Sequence, residues 1–205
     1  DDRFFSWLPF YHDMGLVGKL LVPVAAQAPA AYLGTREFAM RPRMWLTLMD
    51  RTRATISFGP PFGYELCARR LRDGDGSRFD LSQWRVAGVG AEMIRPEALA
   101  LFVTAVAGSG FTGDAFVPSY GMAEVGLAIS FAQRGVGVGV DQVTPDGAGL
   151  ERVGAAQAVF VGGGNTFRLL DRLQRSGILD VLRGRVLTGV PYLGASAGTN
   201  IAAPT

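Results

Sequence analysis

Short apolar runs closed by glycine or proline alternate with helix-spaced stretches along nearly the whole chain, and this alternation narrows the possible folds most. Strands alternating with helices build βα units, so the expected class is α/β with a mainly parallel sheet. Phe4 to Phe10 reads as a strand stopped by the polar turn Tyr11-His12-Asp13. Pro42 to Arg53 carries Met44, Trp45, Leu48 and Met49 at helical spacing, with the proline in a first turn. Thr55 to Phe58 is strand-like and runs into Gly59-Pro60-Pro61, a strong stop. Phe62 to Leu71 reads as a helix, Trp84 to Val89 as a strand, Pro96 to Ala107 as a helix and Ala115 to Ser119 as a strand.

The pattern changes after about residue 132, where glycine is dense and periodicity weak, so a junction is expected at residues 144–149. The expected organisation is two partial domains, residues 1–143 and 150–205. In the second, Ala156 to Val161 reads as a strand and Gly162-Gly163-Gly164 as a tight turn. Asn165 caps a helix to about Arg175, a second helical segment reaches about Arg185, and Val190 to Leu193 is a strand.

Composition removes several functional classes. Glycine supplies 28 of 205 residues, which reads as many turns, some able to cradle a ligand. A net charge of +2 is too small to argue for nucleic acid or an anionic membrane. One cysteine and one histidine exclude a disulfide framework and a Cys/His zinc cluster. The most apolar stretch, Leu20 to Leu33, is broken by Pro23, Gln27 and Pro29 and is too short to span a bilayer. The opening Asp1-Asp2-Arg3 reads as a cut rather than a start.

Three clusters in the first part carry chemistry: Ser6 to Gly15 with His12 at its centre, Gly90-Ala91-Glu92, and Ser119-Tyr120-Gly121-Met122-Ala123-Glu124. The second and third place small residues and a carboxylate directly after an expected strand, where parallel sheets bind ligands. A Gly-Ala step allows close backbone approach to a flat base, and a tyrosine can stack on it. Glu124 could hold Mg²⁺ beside a phosphate. Taken singly, His12 is a loop histidine and Glu124 a carboxylate favoured by a helix N-terminus. The Arg69, Arg70 and Arg72 group reads as a solvated helix end, and Cys67 as core.

Together these blocks resemble the acyl-adenylate-forming superfamily, and most closely the fatty-acyl-AMP ligases. Arg53-Ala54-Thr55-Ile56-Ser57, Tyr64-Glu65-Leu66-Cys67 and Asp80 to Arg85 fit as well, so the resemblance covers residues 1–143. It implies activation of a fatty carboxylate by ATP and Mg²⁺ to an acyl adenylate, with an acyl carrier protein as a possible acceptor. By motif, Gly90, Ala91, Glu92, Tyr120, Gly121, Met122 and Ala123 would form the nucleotide site. Glu124 would meet Mg²⁺, His12 would lie at the carboxylate end of the acyl pocket, and the Ser57 to Tyr64 stretch would border the acyl tunnel. The resemblance also puts a phosphate loop before residue 1 and a catalytic lysine after Val143, and Met93 stands where proline is usual. The expectation is therefore no adenylation by this chain alone.

In the second part, Gly194-Ala195-Ser196-Ala197-Gly198 fits Gly-x-Ser-x-Gly directly after a strand, the arrangement that exposes a serine on a sharp turn. With Ala158 to Phe167 and Pro191-Tyr192-Leu193, it resembles peptidase E, the aspartyl dipeptidase family of serine peptidases with a class I glutamine-amidotransferase-like fold. The resemblance implies Ser196 as nucleophile, the Gly164 and Ala197 N–H groups as oxyanion donors, short aspartyl peptides as substrates and no cofactor. The family's histidine belongs downstream, and a serine without its base is a weak nucleophile. The expected whole is a ligase-like piece joined to a peptidase-like piece, cytoplasmic, with two alternatives. One is a serine dipeptidase and the other a non-catalytic nucleotide- or acyl-binding module.

Overall fold

The computed structural model describes residues 1–72, 74–138, 148–156, 159–161, 166–190, 192–194 and 201. The chain divides into two compact units, Asp1–Gly139 and Val140–Thr205.

The first unit is built on a six-stranded sheet in the order β2-β1-β3-β4-β5-β6. The strands are β1 (Phe4–Ser6), β2 (Ala30–Tyr32), β3 (Ile56–Gly59), β4 (Val86–Val89), β5 (Phe116–Met122) and β6 (Leu127–Phe131). Neighbours from β2 to β5 pair in parallel, and β6 returns antiparallel to β5. The helices are α1 (Asp13–Gly15), α2 (Val22–Ala25), α3 (Thr35–Met40), α4 (Arg43–Thr52), α5 (Pro61–Arg70) and α6 (Pro96–Ala105). A π-helical stretch, Leu16–Leu21, joins α1 to α2.

Proline opens α5 and α6 at their first positions, where a missing N–H costs nothing. Helix α4 buries Trp45, Leu46 and Met49 on one stripe and stops at Arg53, which takes a left-handed conformation (φ 52°). Helix α5 buries Tyr64, Cys67 and Ala68, at i, i+3 and i+4. Period-two alternation then sorts the strands into two faces. Phe5, Ser57, Ala87 and Val89 turn to the helices and are fully buried. There Trp45, Tyr64, Trp84, Phe102, Phe111 and Phe116 form a continuous aromatic core, in which Trp45 and Tyr64 are 5.0 Å apart and Trp84 and Phe111 5.1 Å apart.

Three expectations change. The first strand ends at Ser6 rather than Phe10, and the polar turn after it leads into the helical path from Asp13 to Ala25. Strands β2 and β6, not foreseen, complete the two edges of the sheet. Ala148 and Gly149, assigned to the junction, begin a helix, while residues 144–147 lie outside the described residues.

The second unit contains α7 (Ala148–Ala155), β7 (Val159–Val161), α8 (Thr166–Arg175), α9 (Ile178–Leu187) and β8 (Tyr192–Gly194). Strands β7 and β8 pair in parallel, Val161 opposite Gly194. Gly177 (φ 71°) turns the chain between α8 and α9, in a conformation that glycine adopts without a Cβ penalty. Leu173, Ile178 and Leu179 form its small core, with Leu150, Val153, Leu169, Leu170 and Ile201 against it.

Candidate functional site

A cavity of about 310 Å³ opens on the face of the first unit's sheet opposite the aromatic core. Its floor is the alternate set of strand residues, Phe4, Ile56, Phe58 and Val86. These belong together by register, since Phe4 pairs with Ile56 and Ile56 with Val86. At the carboxyl ends of the strands the wall passes to Ala91, Ser119, Tyr120 and Gly121. The third side comes from the helical path, through His12, Asp13, Gly18 and Lys19, and from Leu127 and Phe131 of β6.

Small residues make this closeness possible. A Cβ on Gly88 would meet the Phe58 ring at 2.0 Å, so the ring lies over the glycine. A Cβ on Gly90 would meet the Ser119 carbonyl at 2.4 Å, and one on Gly121 the Leu127 carbonyl at 1.8 Å. Gly90 and Gly121 therefore draw the strand-end segments together. The β5–β6 register shifts between Tyr120 and Gly121. Ala91 adopts φ 66°, left-handed for a residue with a Cβ, a strained conformation of the kind that gathers at ligand sites.

The expected residues separate into three groups. His12, Ala91, Tyr120 and Gly121 meet on the cavity wall. His12 caps α1, its Nδ1 lying 3.1 Å from the Met14 amide and 2.5 Å from Asp13 Oδ1. Gly90 supports the wall from behind. Glu92 turns elsewhere and accepts the Phe62 N–H at 2.8 Å, which satisfies an open donor of α5's first turn. Met122, Ala123 and Glu124 follow at the exposed end of β5.

Ser57 and Tyr64 lie on the core face. Ser57 Oγ accepts from Trp45 Nε1 at 3.0 Å, and the Tyr64 hydroxyl donates to the Gly88 carbonyl at 2.8 Å. For Ser57 the reason is strand alternation, which turns Phe58 to the cavity instead, whereas Tyr64 lies on the buried stripe of α5. Ser196, Gly164 and Ala197 lie outside the described residues. Strand β8 ends at Gly194, two residues before Ser196.

Lys19 was not foreseen as a site residue. It is 3% exposed, and burial lowers its pKa from 10.5 to about 7. Its ammonium lies 3.6 Å from the centroid of Phe58 and 5.4 Å from that of Phe4. One signal existed: it is the chain's single lysine, set in the apolar run Leu16 to Leu21.

Among the described residues no group of three or more His, Cys, Asp or Glu is placed to hold a metal ion. Glu124 is a single exposed carboxylate at the end of β5. No helix among the described residues is long and apolar enough to cross a membrane.

Comparison with known proteins assigns a different relationship to each part of the chain. Residues 129–205 match the model of peptidase family S51, a match that starts within β6 and so reaches further back than residue 150. A Caulobacter vibrioides protein with a provisional acyl-CoA synthetase name is 50% identical over 151 residues, 74% of this chain and 26% of that protein. A medium-chain-fatty-acid–[acyl-carrier-protein] ligase of Teredinibacter turnerae is 42% identical over 131 residues, 64% of this chain and 20% of that enzyme. A solved fatty acyl-adenylate ligase, from work on the E. coli and L. pneumophila enzymes, superposes with a TM-score of 0.65 at 54% identity. It covers 67% of this chain and 25% of that structure. The L. pneumophila enzyme in complex with acyl adenylate and pyrophosphate gives a TM-score of 0.65 at 37% identity, covering 67% of this chain and 24% of that structure. The chain thus carries a fatty acyl-AMP ligase-like segment with an α/β fold and a segment of the S51 peptidase type. It spans between about a fifth and a quarter of the length of these ligases.

Proposed function

We propose that residues 1–143 supply the acyl and adenine walls of a site that activates a fatty acid as its acyl adenylate, using ATP with Mg²⁺ at Glu124. The observation that carries this reading is the single cavity joining a strand-end wall of Ala91, Tyr120 and Gly121 to an apolar floor of Phe4, Ile56, Phe58 and Val86. An adenine needs a flat approach and a stacking partner, which the glycine-tightened strand ends and Tyr120 can offer. An acyl chain needs apolar surface removed from water, which the floor offers. Gly90, Met122 and Ala123 shape the strand ends, Glu92 anchors its segment to α5, and His12 stands where the carboxylate would enter. Ser57 and Tyr64 support that floor from the core side. An acyl carrier protein as acceptor, which the name of the T. turnerae relative supports, and a cytoplasmic setting belong to the same proposal.

The test is calorimetric titration of the chain with a non-hydrolysable acyl-adenylate analogue. Binding is expected, and Tyr120→Ala should weaken it by about 1–3 kcal/mol, the worth of one base–aromatic stack. No binding, or binding indifferent to Tyr120→Ala and Gly121→Val alike, overturns the reading. Pyrophosphate exchange is not expected of the chain by itself, and exchange that depends on a fatty acid would overturn that expectation.

A second reading applies to residues 150–205, favoured by the S51 match and by the parallel β7–β8 pair leading to Gly194-Ala195-Ser196. It assigns hydrolysis of short aspartyl peptides to Ser196, with Gly164 and Ala197 as oxyanion donors and no cofactor. Release of aspartate from an aspartyl dipeptide must vanish in Ser196→Ala, and equal rates in both proteins would remove it.

A further inference from the structure

We propose that Lys19 sets the ligand specificity of the cavity by selecting an acyl ligand that bears a second oxygen acceptor, above all a carboxylate, away from the carboxyl group that reacts. This rests on the acyl reading given above. The ammonium has been taken out of water among aromatic rings, stacked over Phe58 and beside Phe4. Those ring faces offset part of its desolvation, yet among the described residues no carboxylate or carbonyl pairs with Nζ. A buried cation without an oxygen partner is costly, and this one borders an open cavity in which a ligand can supply the partner. Burial has already removed most of the side chain from bulk water, so an arriving anion meets a lysine with little hydration left to displace.

The other ionisable groups on the wall are His12, Asp13 and Tyr120. Asp13 already accepts the Met14 N–H at 2.8 Å and lies against His12, so it leaves Lys19 to the ligand. Position separates the two ends of that ligand. Phe58 pairs in register with Gly88, and Ala91 lies three residues further along the chain. Lys19 lies over Phe58 and beside Phe4, whose partner Ile56 sits two residues before Phe58, so it stands over the apolar floor and before the strand-end wall. A carboxyl group activated beside Ala91 and Tyr120 is therefore not the group that Lys19 meets.

The experiment titrates the full chain and Lys19→Met, at neutral pH, with a medium-chain α,ω-dicarboxylic acid and with the monocarboxylic acid of the same length. The wild type should prefer the dicarboxylic acid by about tenfold or more, the discrimination expected when a ligand leaves a buried polar group unpaired. Lys19→Met should reverse the order. No preference in the wild type overturns the proposal whatever the variant does, and an equal preference in both proteins overturns it while leaving the acyl reading intact. Failure of both acids to bind removes the acyl reading and this one with it.

Discussion

The two faces of the six-stranded sheet are made from alternate residues of the same strands, yet one is sealed and the other open. On the core face, Phe5, Ser57, Ala87 and Val89 are closed over by Trp45, Tyr64 and their aromatic neighbours, and Trp45 Nε1 finds a partner in Ser57 while Trp7 Nε1 is left without one among the described residues. On the other, Phe4, Ile56, Phe58 and Val86 border a cavity, and a lysine is buried with rings instead of an anion beside it. The faces meet at Gly88, whose carbonyl is taken by Tyr64 from the core side and whose absent side chain leaves room for Phe58 on the cavity side. One face thus concentrates stabilising contacts, while the other tolerates a costly group where a ligand could use it.

This division predicts a graded series of effects. Trp45→Ala should be the most damaging, costing about 3–5 kcal/mol in urea unfolding because a fully buried indole leaves a large cavity. A loss near zero would mean that the core face is not the stabilising one.

Lys19→Met should act in the opposite direction. The folded lysine has its pKa lowered from 10.5 to about 7, so between those values the unfolded chain holds one more proton than the folded chain. Wild-type stability therefore rises with pH across that window, and at pH 7 and below the full cost of burying the ammonium is present. The methionine variant lacks this slope and should be more stable at neutral pH by a few kcal/mol, at about 1.4 kcal/mol per unit of pKa difference. Parallel stability–pH curves for the two proteins would show that the open face carries no such cost.

Gly88→Ala comes next. Its Cβ would fall 2.0 Å from Phe58 Cδ1, so a ring must move, at about 1–3 kcal/mol for an overpacked site. Phe58→Ala in the same chain should recover part of that loss, and purely additive effects would separate the two residues.

Much of this frame was legible in the chain itself. Ile56–Gly59 and Val86–Val89 announce themselves as compact apolar runs with glycine at their ends, and prolines mark the starts of α5 and α6. The path from Asp13 to Ala25 was not legible, because Leu16, Val17, Leu20, Leu21 and Val22 are too nearly continuous to show a period, and Pro23 argues against a helix. Strand β6 was hidden because its pairing depends on the long-range approach of Gly121 to Leu127 rather than on a local signal. The strand-end residues that line the cavity, Ala91, Tyr120 and Gly121, stand within motifs of the sequence. The resemblance marked Ser57 to Tyr64 as one stretch, but the pleat turns Phe58 to the cavity and Ser57 to the core, and Tyr64 follows on the buried stripe of α5. Lys19 stood out only by being alone.

The smallest effect tests the division most sharply. The Tyr64 hydroxyl donates to Gly88 from within the core, and burial raises its pKa well above the ordinary value of 10.0, so it remains a donor across the working pH range. Tyr64→Phe keeps the ring and its packing and removes one hydrogen bond, a loss of about 1 kcal/mol. If the faces divide their work, that loss should appear in unfolding, while affinity for the acyl-adenylate analogue stays within about twofold, or roughly 0.4 kcal/mol. A larger fall in affinity would mean that strain at the Gly88 carbonyl reaches Phe58 and Lys19 through a residue the two faces share. The sheet would then be one coupled element rather than a wall with two independent sides.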